Sequence, residues 1–387
     1  MSSGKMERIL RLMAEKKASD VYISAHAPTM IKINGQTIPV NTQVLPPNAP
    51  HQLLSELVTP SQMEELVETG ELNLAVPLDG VGNFRVSAMR QRGSYALVIR
   101  FVPADVPPLV SLKVPMVLGD IAMERRGLVL IVGASGAGKS TTMAAMVDHR
   151  NENTTGHILT IEDPIEYIHR NKRSVVNQRE IGSDTASLQV GLKNALRQAP
   201  DVILIGEIRD RETMSAAIAY AQSGHLCLAT LHASNSYQAL NRILSFYPVE
   251  VRQTMLGDLA AALRAIVSQR LLRTQTGTRL PATEVLLNTP LIAELIQKAD
   301  FFSVRDAIEK SLAVGSQSFE QDIARLVSEG LVSRKEGLAH ADSPNNLLWR
   351  LQNTAAGSGT SQTNQPSEED RSDETTFTEF TLDVKHP

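Results

Sequence analysis

Residues 133–140, GASGAGKS, set glycines, a lysine and a hydroxyl at the spacing that a phosphate cradle needs. The segment fits G-x-x-x-x-G-K-[ST] and lies between a short apolar run, GLVLIVG (127–133), and a helical pattern. That context gives the pattern its mechanism. Gly133, Ser135, Gly136, Ala137 and Gly138 allow backbone N–H groups to converge on phosphate oxygens, where a helix N-terminus adds partial positive charge. Lys139 is then placed for the β- and γ-phosphates, and Ser140, followed by Thr141, offers a hydroxyl to Mg²⁺. The ligands implied are ATP and Mg²⁺.

Three further segments carry matching chemistry. VILIGE (202–207) ends an apolar run on an acid, so Glu207 suits a second carboxylate of the magnesium site; the bland alternative is an acid that merely closes a buried strand. TIEDPIEY (160–167) sets Glu162, Asp163 and Glu166 around Pro164, which cannot continue a strand ladder and turns the chain. Near phosphates and Mg²⁺, such acids either hold metal-bound water or orient and deprotonate an attacking water. A solvated acidic turn is the competing explanation. SGHLCLATLHASN (223–235) places His225 and His232 at opposite ends of one apolar strand, and seven residues of regular strand turn them to opposite faces, which does not suit a metal pair. His232 is positioned to sense the γ-phosphate; His225 stays open between such a role and that of a capping or core histidine. In GEIRDRET, one of Arg209 and Arg211 can link the carboxylates while the other caps a helix.

These groups need a scaffold that brings strand ends to one edge. GLVLIVG, HILTIE, DVILIGEI and HLCLATLH are buried-type strands, with helical patterns at 185–198 and 210–223. Strands of this kind alternating with helices predict a mostly parallel α/β sheet. Helical patterns are expected to dominate from 234 to about 330. Upstream, residues 5–17 have Met6, Ile9, Leu10 and Met13 at helical spacing, SDVYIS and TMIKINGQTIPV alternate like strands with Asn34-Gly35 as a turn, and Thr59-Pro60 opens a helix. NFRVSAMR and YALVIRFV form a strand pair around Arg92-Gly93. The organisation expected is a small α+β domain (1–102), a proline-rich, extended linker (103–115), an α/β nucleotide domain with a helical C-terminal part (116–340), and an acidic, disordered tail (341–387).

Composition narrows the partners. With 42% hydrophobic and 21% charged residues the chain is of globular type. Net charge is −4, of which the segment 352–387 carries −5, leaving a body near +1. So neutral a body, with 4% aromatics, argues against a nucleic-acid translocase, which needs a basic channel or stacking platforms. Intact Lys139, Glu166 and Glu207 argue against a non-catalytic nucleotide-binding adaptor. Charges interrupt every apolar cluster of the N-terminus and no run reaches membrane-spanning length, so a cytoplasmic protein without direct membrane insertion is expected. The single cysteine, Cys227, is a buried filler and excludes a Cys-rich zinc module.

GASGAGKSTT, TIEDPIEYIH, DVILIGEIRDRET and GHLCLATLHAS, in this order and spacing, resemble the Walker A, Asp box, Walker B and His box of the secretion-type ATPases of type IV pili and type II secretion. The missing cysteines, the short N-terminal part and ALRAIVSQRL (262–271) resemble the type IV pilus retraction branch, the PilT/PilU family. LLNTPLIAELIQKAD, EKSLAVGSQSFEQDIARL and the acidic extension are more similar to its PilU-type members. The resemblance implies a RecA-like P-loop ATPase domain behind a PAS-like α+β domain, and a hexameric motor for pilus retraction and twitching motility, with a pilus-assembly or type II secretion ATPase as the alternative within the wider family. It implies Glu166 as the water-activating base with Glu162 assisting, Glu207 on the Mg²⁺ shell, and His225 and His232 coupling nucleotide state to neighbouring strands. Arg85, Arg92 and Arg100 are the candidates for arginines that complete a site between subunits. Implied partners are other copies of the chain, an inner-membrane pilus platform protein and a sister retraction ATPase, PilT, with the protein peripheral at the inner membrane. Within the tail, TFTEFTLDV (376–384) reads either as part of a solvated spacer or as a short docking motif.

Overall fold

The computed structural model describes residues 4–33, 35–78, 80–103 and 105–356. Asn34 of the expected turn and the 376–384 motif lie outside the described residues.

The N-terminal part runs α1 (Lys5–Glu15), β1 (Asp20–Ser24), β2 (Met30–Ile33), β3 (Gln36–Pro39), α2 (Ala49–Leu54), α3 (Pro60–Thr69), β4 (Glu71–Leu78), β5 (Gly82–Gln91) and β6 (Ser94–Pro103). Its strands form an antiparallel sheet in the order β3-β2-β1-β6-β5-β4. The 3–4 spacing of Met6, Leu10 and Met13 puts all three on the buried face of α1, where they meet Leu54, Leu66 and Phe84. Burying a side chain such as Phe84 contributes about 1.5–3 kcal/mol. Thr59 caps α3 in a reciprocal box with Gln62, and Pro60 takes the first helical position. β4 extends the expected β5–β6 pair to an edge strand, consistent with the period-two spacing of Leu72, Leu74, Val76 and Leu78.

The connector does not stay extended. Leu109–Leu112 form one 3₁₀ turn, and Leu109 is buried against the following α/β core. That core is built from α4 (Val117–Ala122), β7 (Gly127–Val132), α5 (Lys139–Asn153), β8 (Gly156–Glu162), β9 (Ser174–Glu180), α6 (Leu188–Ala195), β10 (Val202–Ile205), α7 (Arg211–Gln222), β11 (Leu226–Leu231), α8 (Ser236–Ser245), α9 (Val249–Ala262), β12 (Leu263–Arg273) and β13 (Arg279–Leu287). The sheet order is β13-β12-β7-β11-β10-β8-β9, parallel except for β13. Strand alternation splits β7 between two cores: Leu128, Leu130 and Val132 face one layer of helices, Val129 and Ile131 the other.

Two further expectations need correction. Residues 263–273 and 279–287 are strands within the stretch, 234 to about 330, where helical patterns were expected to dominate. The apolar positions of LRAIVSQRLLR fit either period, and pairing with β7 decides for strand. Beyond α10 (Pro290–Gln297), α11 (Phe301–Glu309), α12 (Phe319–Ser328) and α13 (Arg334–His340) comes a further helix, α14 (Pro344–Ala356), on ground expected to be disordered tail. Leu347 of α14 is fully buried with Phe319, Ile323 and Val332, so a hydrophobic contact orders this stretch. Among the described residues, no helix is long and apolar enough to cross a membrane.

Candidate active site

β7, β8, β10 and β11 run parallel, so their C-terminal ends share one edge, the place where open α/β sheets bind ligands. The loop after β7 wraps the start of α5 and opens on a cavity of 570 Å³, within the usual range for small-molecule sites. Ser135, Gly136, Gly138, Lys139, Ser140 and Thr141 line it. Gly136 and Gly138 have φ of +76° and +87°, left-handed geometry that only glycine adopts freely. Gly133 and Ala137 are set behind the loop. A Cβ on Gly133 would stand 2.6 Å from Gln269 O, and the Ala137 carbonyl accepts a 2.8 Å bond from Gln269 Nε2. Lys139 Nζ donates to Gly133 O and Ala134 O, both at 2.9 Å. Burial lowers its pKa, against the pull of Glu207 and Glu166. A buried cation in the first turn of a helix, behind a glycine loop, suits a polyphosphate.

The acidic segment leaves the end of β8 and is stapled by β9. Gln178 Nε2 donates to Glu162 Oε1 (3.2 Å) and Tyr167 O (2.8 Å), and Gln178 Oε1 accepts His169 N at 2.8 Å. Glu180 accepts Ile165 N at 3.0 Å. Tyr167 OH and Thr141 Oγ1, 2.9 Å apart, tie the segment to the phosphate loop. The Asp163–Pro164 peptide is cis. Glu162 accepts Thr160 Oγ1 at 2.6 Å, yet burial raises its pKa above the ordinary carboxylate value, and nearby Glu166 adds to the rise. Glu166 itself is exposed at the cavity wall. The two glutamates therefore occupy different environments, one half-buried and one exposed.

Glu207 follows β10 and faces the same cavity. His232 Nε2 lies 3.1 Å from its Oε1, and Arg209 Nε donates to its Oε2 at 2.8 Å. Arg209 also reaches Asp163 at 3.5 Å, so it is the arginine that links the carboxylates. Arg211 starts α7, whose cap is Asp210, and its guanidinium lies 5.6 Å from the Tyr247 ring centroid. His225 is not brought to this edge. It sits before β11, seven residues and roughly 20 Å of strand from His232, bonded to Ser223 Oγ and near Tyr220 O.

Two of the three N-terminal arginines approach the acids in the same chain. Arg85 on β5 and Arg100 on β6 are cross-strand partners. Arg85 Nε is 4.0 Å from Glu180 Oε2; burial lowers its pKa while Glu180 and Glu166 oppose the fall. Arg100 lines the cavity and pairs with Asp20 at 3.0 Å. Arg92, with φ of +46° beside the β5–β6 turn, is not among the lining residues.

Residues 5–285 match the family model of the type II/IV secretion system protein. The chain belongs to that family. It is 47% identical over 342 residues to the type IV pilus ATPase PilU of Pseudomonas aeruginosa, covering 88% of this chain and 90% of that one. To the type IV pilus retraction ATPase PilT of the same organism it is 35% identical, over 88% and 98%. The crystal structure of the pilus retraction motor PilT with bound ADP superposes with a TM-score of 0.83 at 33% identity, covering 90% of this chain and all of that one. The protein is thus an ATPase of the PilT/PilU family that uses nucleotide. Four supports carry no motif of their own in the sequence: Gln178, Glu180 and Gln269, which hold the site from behind, and Tyr167, which lines the cavity. Only their polar character within strand-like runs could have flagged Gln178, Glu180 and Gln269.

Proposed function

We propose that this chain is an ATP-hydrolysing motor of the PilU type that retracts type IV pili in twitching motility. What carries the reading is the convergence on one cavity of the phosphate loop, the Glu162–Glu166 segment and the Glu207–His232 pair, with Arg100 of the N-terminal sheet at the rim. Lys139 would exchange its two carbonyl partners for phosphate oxygens. Ser140 and Glu207 are oxygen donors that fit Mg²⁺, which usually takes few protein ligands besides phosphates and water. Because Arg209 and His232 already engage both oxygens of Glu207, that carboxylate suits a water-mediated hold. Bound Mg²⁺ would supply charge neutralisation at the phosphates.

Glu166, exposed at the wall, would orient the attacking water and accept its proton, and Glu162, with its raised pKa, would assist by sharing that proton. His232 would report the γ-phosphate to β11 through Glu207. Sites of a hexameric ring would be completed by arginines of the N-terminal sheet, and residues 103–115 would act as the joint between the two sheets. Sequential closure would turn an inner-membrane platform protein, with the ring peripheral at that membrane and a sister ATPase of the PilT type as companion. The test is hydrolysis by wild type, Lys139→Ala and Glu166→Gln, followed by pilus retraction in cells complemented with each. Turnover and retraction with wild type alone support the reading; background turnover in all three sinks it, and bald cells lacking the chain would mark an assembly motor.

A further inference from the structure

The loop that carries His232 is held by groups far along the chain. Directly after His232 and Ala233, three consecutive residues are tied down. Ser234 O accepts Arg270 Nη2 at 3.2 Å, Asn235 Nδ2 donates to Asp342 Oδ2 at 2.9 Å, and Ser236 donates from N (2.8 Å) and Oγ (2.6 Å) to Glu284 Oε1. Arg270 is the hub. Its Nη2 also donates to Asp342 Oδ1, its Nη1 donates to His340 O at 2.5 Å, and its guanidinium lies 4.0 Å from the ring centroid of Phe319. One planar fork therefore touches the start of α12, the end of α13 and the turn into α14 while gripping the His232 loop. Strand alternation puts Arg270 and Ser268 on one face of β12 and Gln269, which grips the phosphate loop, on the other.

We propose that Arg270 and Asp342 are positioning residues that couple helices α12–α14 to the His232 loop and so fix His232 against Glu207 for the hydrolytic step. The proposal rests on His232 and Glu207 belonging to the hydrolytic site. Nucleotide affinity, set by the phosphate loop and Lys139, does not pass through this clamp; turnover does. A small displacement of a reacting or sensing group costs far more in rate than in binding.

The test is steady-state hydrolysis by the full chain carrying Asp342→Ala, Asp342→Asn or Arg270→Lys, alone and with His232→Ala, beside Glu166→Gln as control. Asp342→Ala is expected to lower kcat about ten-fold with KM within about two-fold, and Asp342→Asn, which keeps an acceptor for Asn235, to recover part of the loss. With His232→Ala present, the further loss should shrink to less than about two-fold, because the clamp acts through that side chain. Losses that multiply independently of His232, or an Asp342→Ala enzyme with wild-type kcat, overturn the proposal. Should Asp342→Ala not fold, the same cycle with Asp342→Asn and Arg270→Lys decides. If Glu166→Gln hydrolyses like wild type, the active-site reading falls instead, which separates the two failures.

Discussion

Gln269→Ala should loosen the phosphate loop more than any surface change near it. The side chain is buried on β12 and bridges the loop and the first turn of α5: Nε2 donates to Ala137 O and Oε1 accepts Thr142 Oγ1, both at 2.8 Å. Truncation removes both bonds and leaves the Ala137 carbonyl and the Thr142 hydroxyl buried without partners. At ~1–3 kcal/mol for a buried group left unsatisfied, tempered by partial relaxation, the loss is about 2–4 kcal/mol. Part of it should appear as weaker nucleotide binding, since Gly138, whose Cβ would meet Gln269 Nε2 at 2.7 Å, rests on this side chain. Thermal unfolding by circular dichroism measures the first effect, and titration with a fluorescent ATP analogue the second. A variant that melts with wild type and binds the analogue equally well would refute the view that β12 supports the loop.

Two more outcomes follow from buried titratable groups. Burial raises the Glu284 pKa above its ordinary value of 4.5 despite three hydrogen bonds from Ser236 and Ser268. The folded chain then binds this proton more tightly than the unfolded chain, so the stabilisation is full below the unfolded value and is lost as pH rises through the folded one. Glu284→Gln should accordingly gain stability relative to wild type as pH rises above the ordinary glutamate value of 4.5, read from urea midpoints at a series of pH values; a difference that stays constant with pH contradicts the assignment. The Cys227 thiol, fully buried on β11, is pushed up to about 12 and carries almost no thiolate near neutrality. An aromatic disulfide reagent should therefore label no thiol in the native chain and one per chain in denaturant, and rapid native labelling would mean that β11 opens.

Local patterns made much of the site legible. The phosphate loop, Glu162, Glu207 and His232 each sit at the end of an apolar run, with Glu166 four residues beyond Glu162, and strand ends in a parallel sheet meet at one edge. Less legible were the supports. Gln178, Glu180 and Gln269 lie on strands whose sequences have mixed polarity or fit two periods, and their value depends on which strand becomes the neighbour. His225 shows the reverse: motif membership suggested a place at the nucleotide, while strand length carries it to the far edge.

The phosphate-binding chemistry is local to the sequence, because it needs a contiguous glycine loop, lysine and hydroxyl, and these are neighbours along the chain. The sequence by itself also marks the buried strands, whose apolar runs admit no exposed face. Only long-range packing settles that 263–273 and 279–287 pair as strands, that 344–356 folds onto Phe319 and Ile323, and that Arg270 meets Ser234 and Asp342. Apart from the β12–β13 hairpin, those contacts join residues dozens of positions apart, so their free energy exists only once the sheet has brought the partners together.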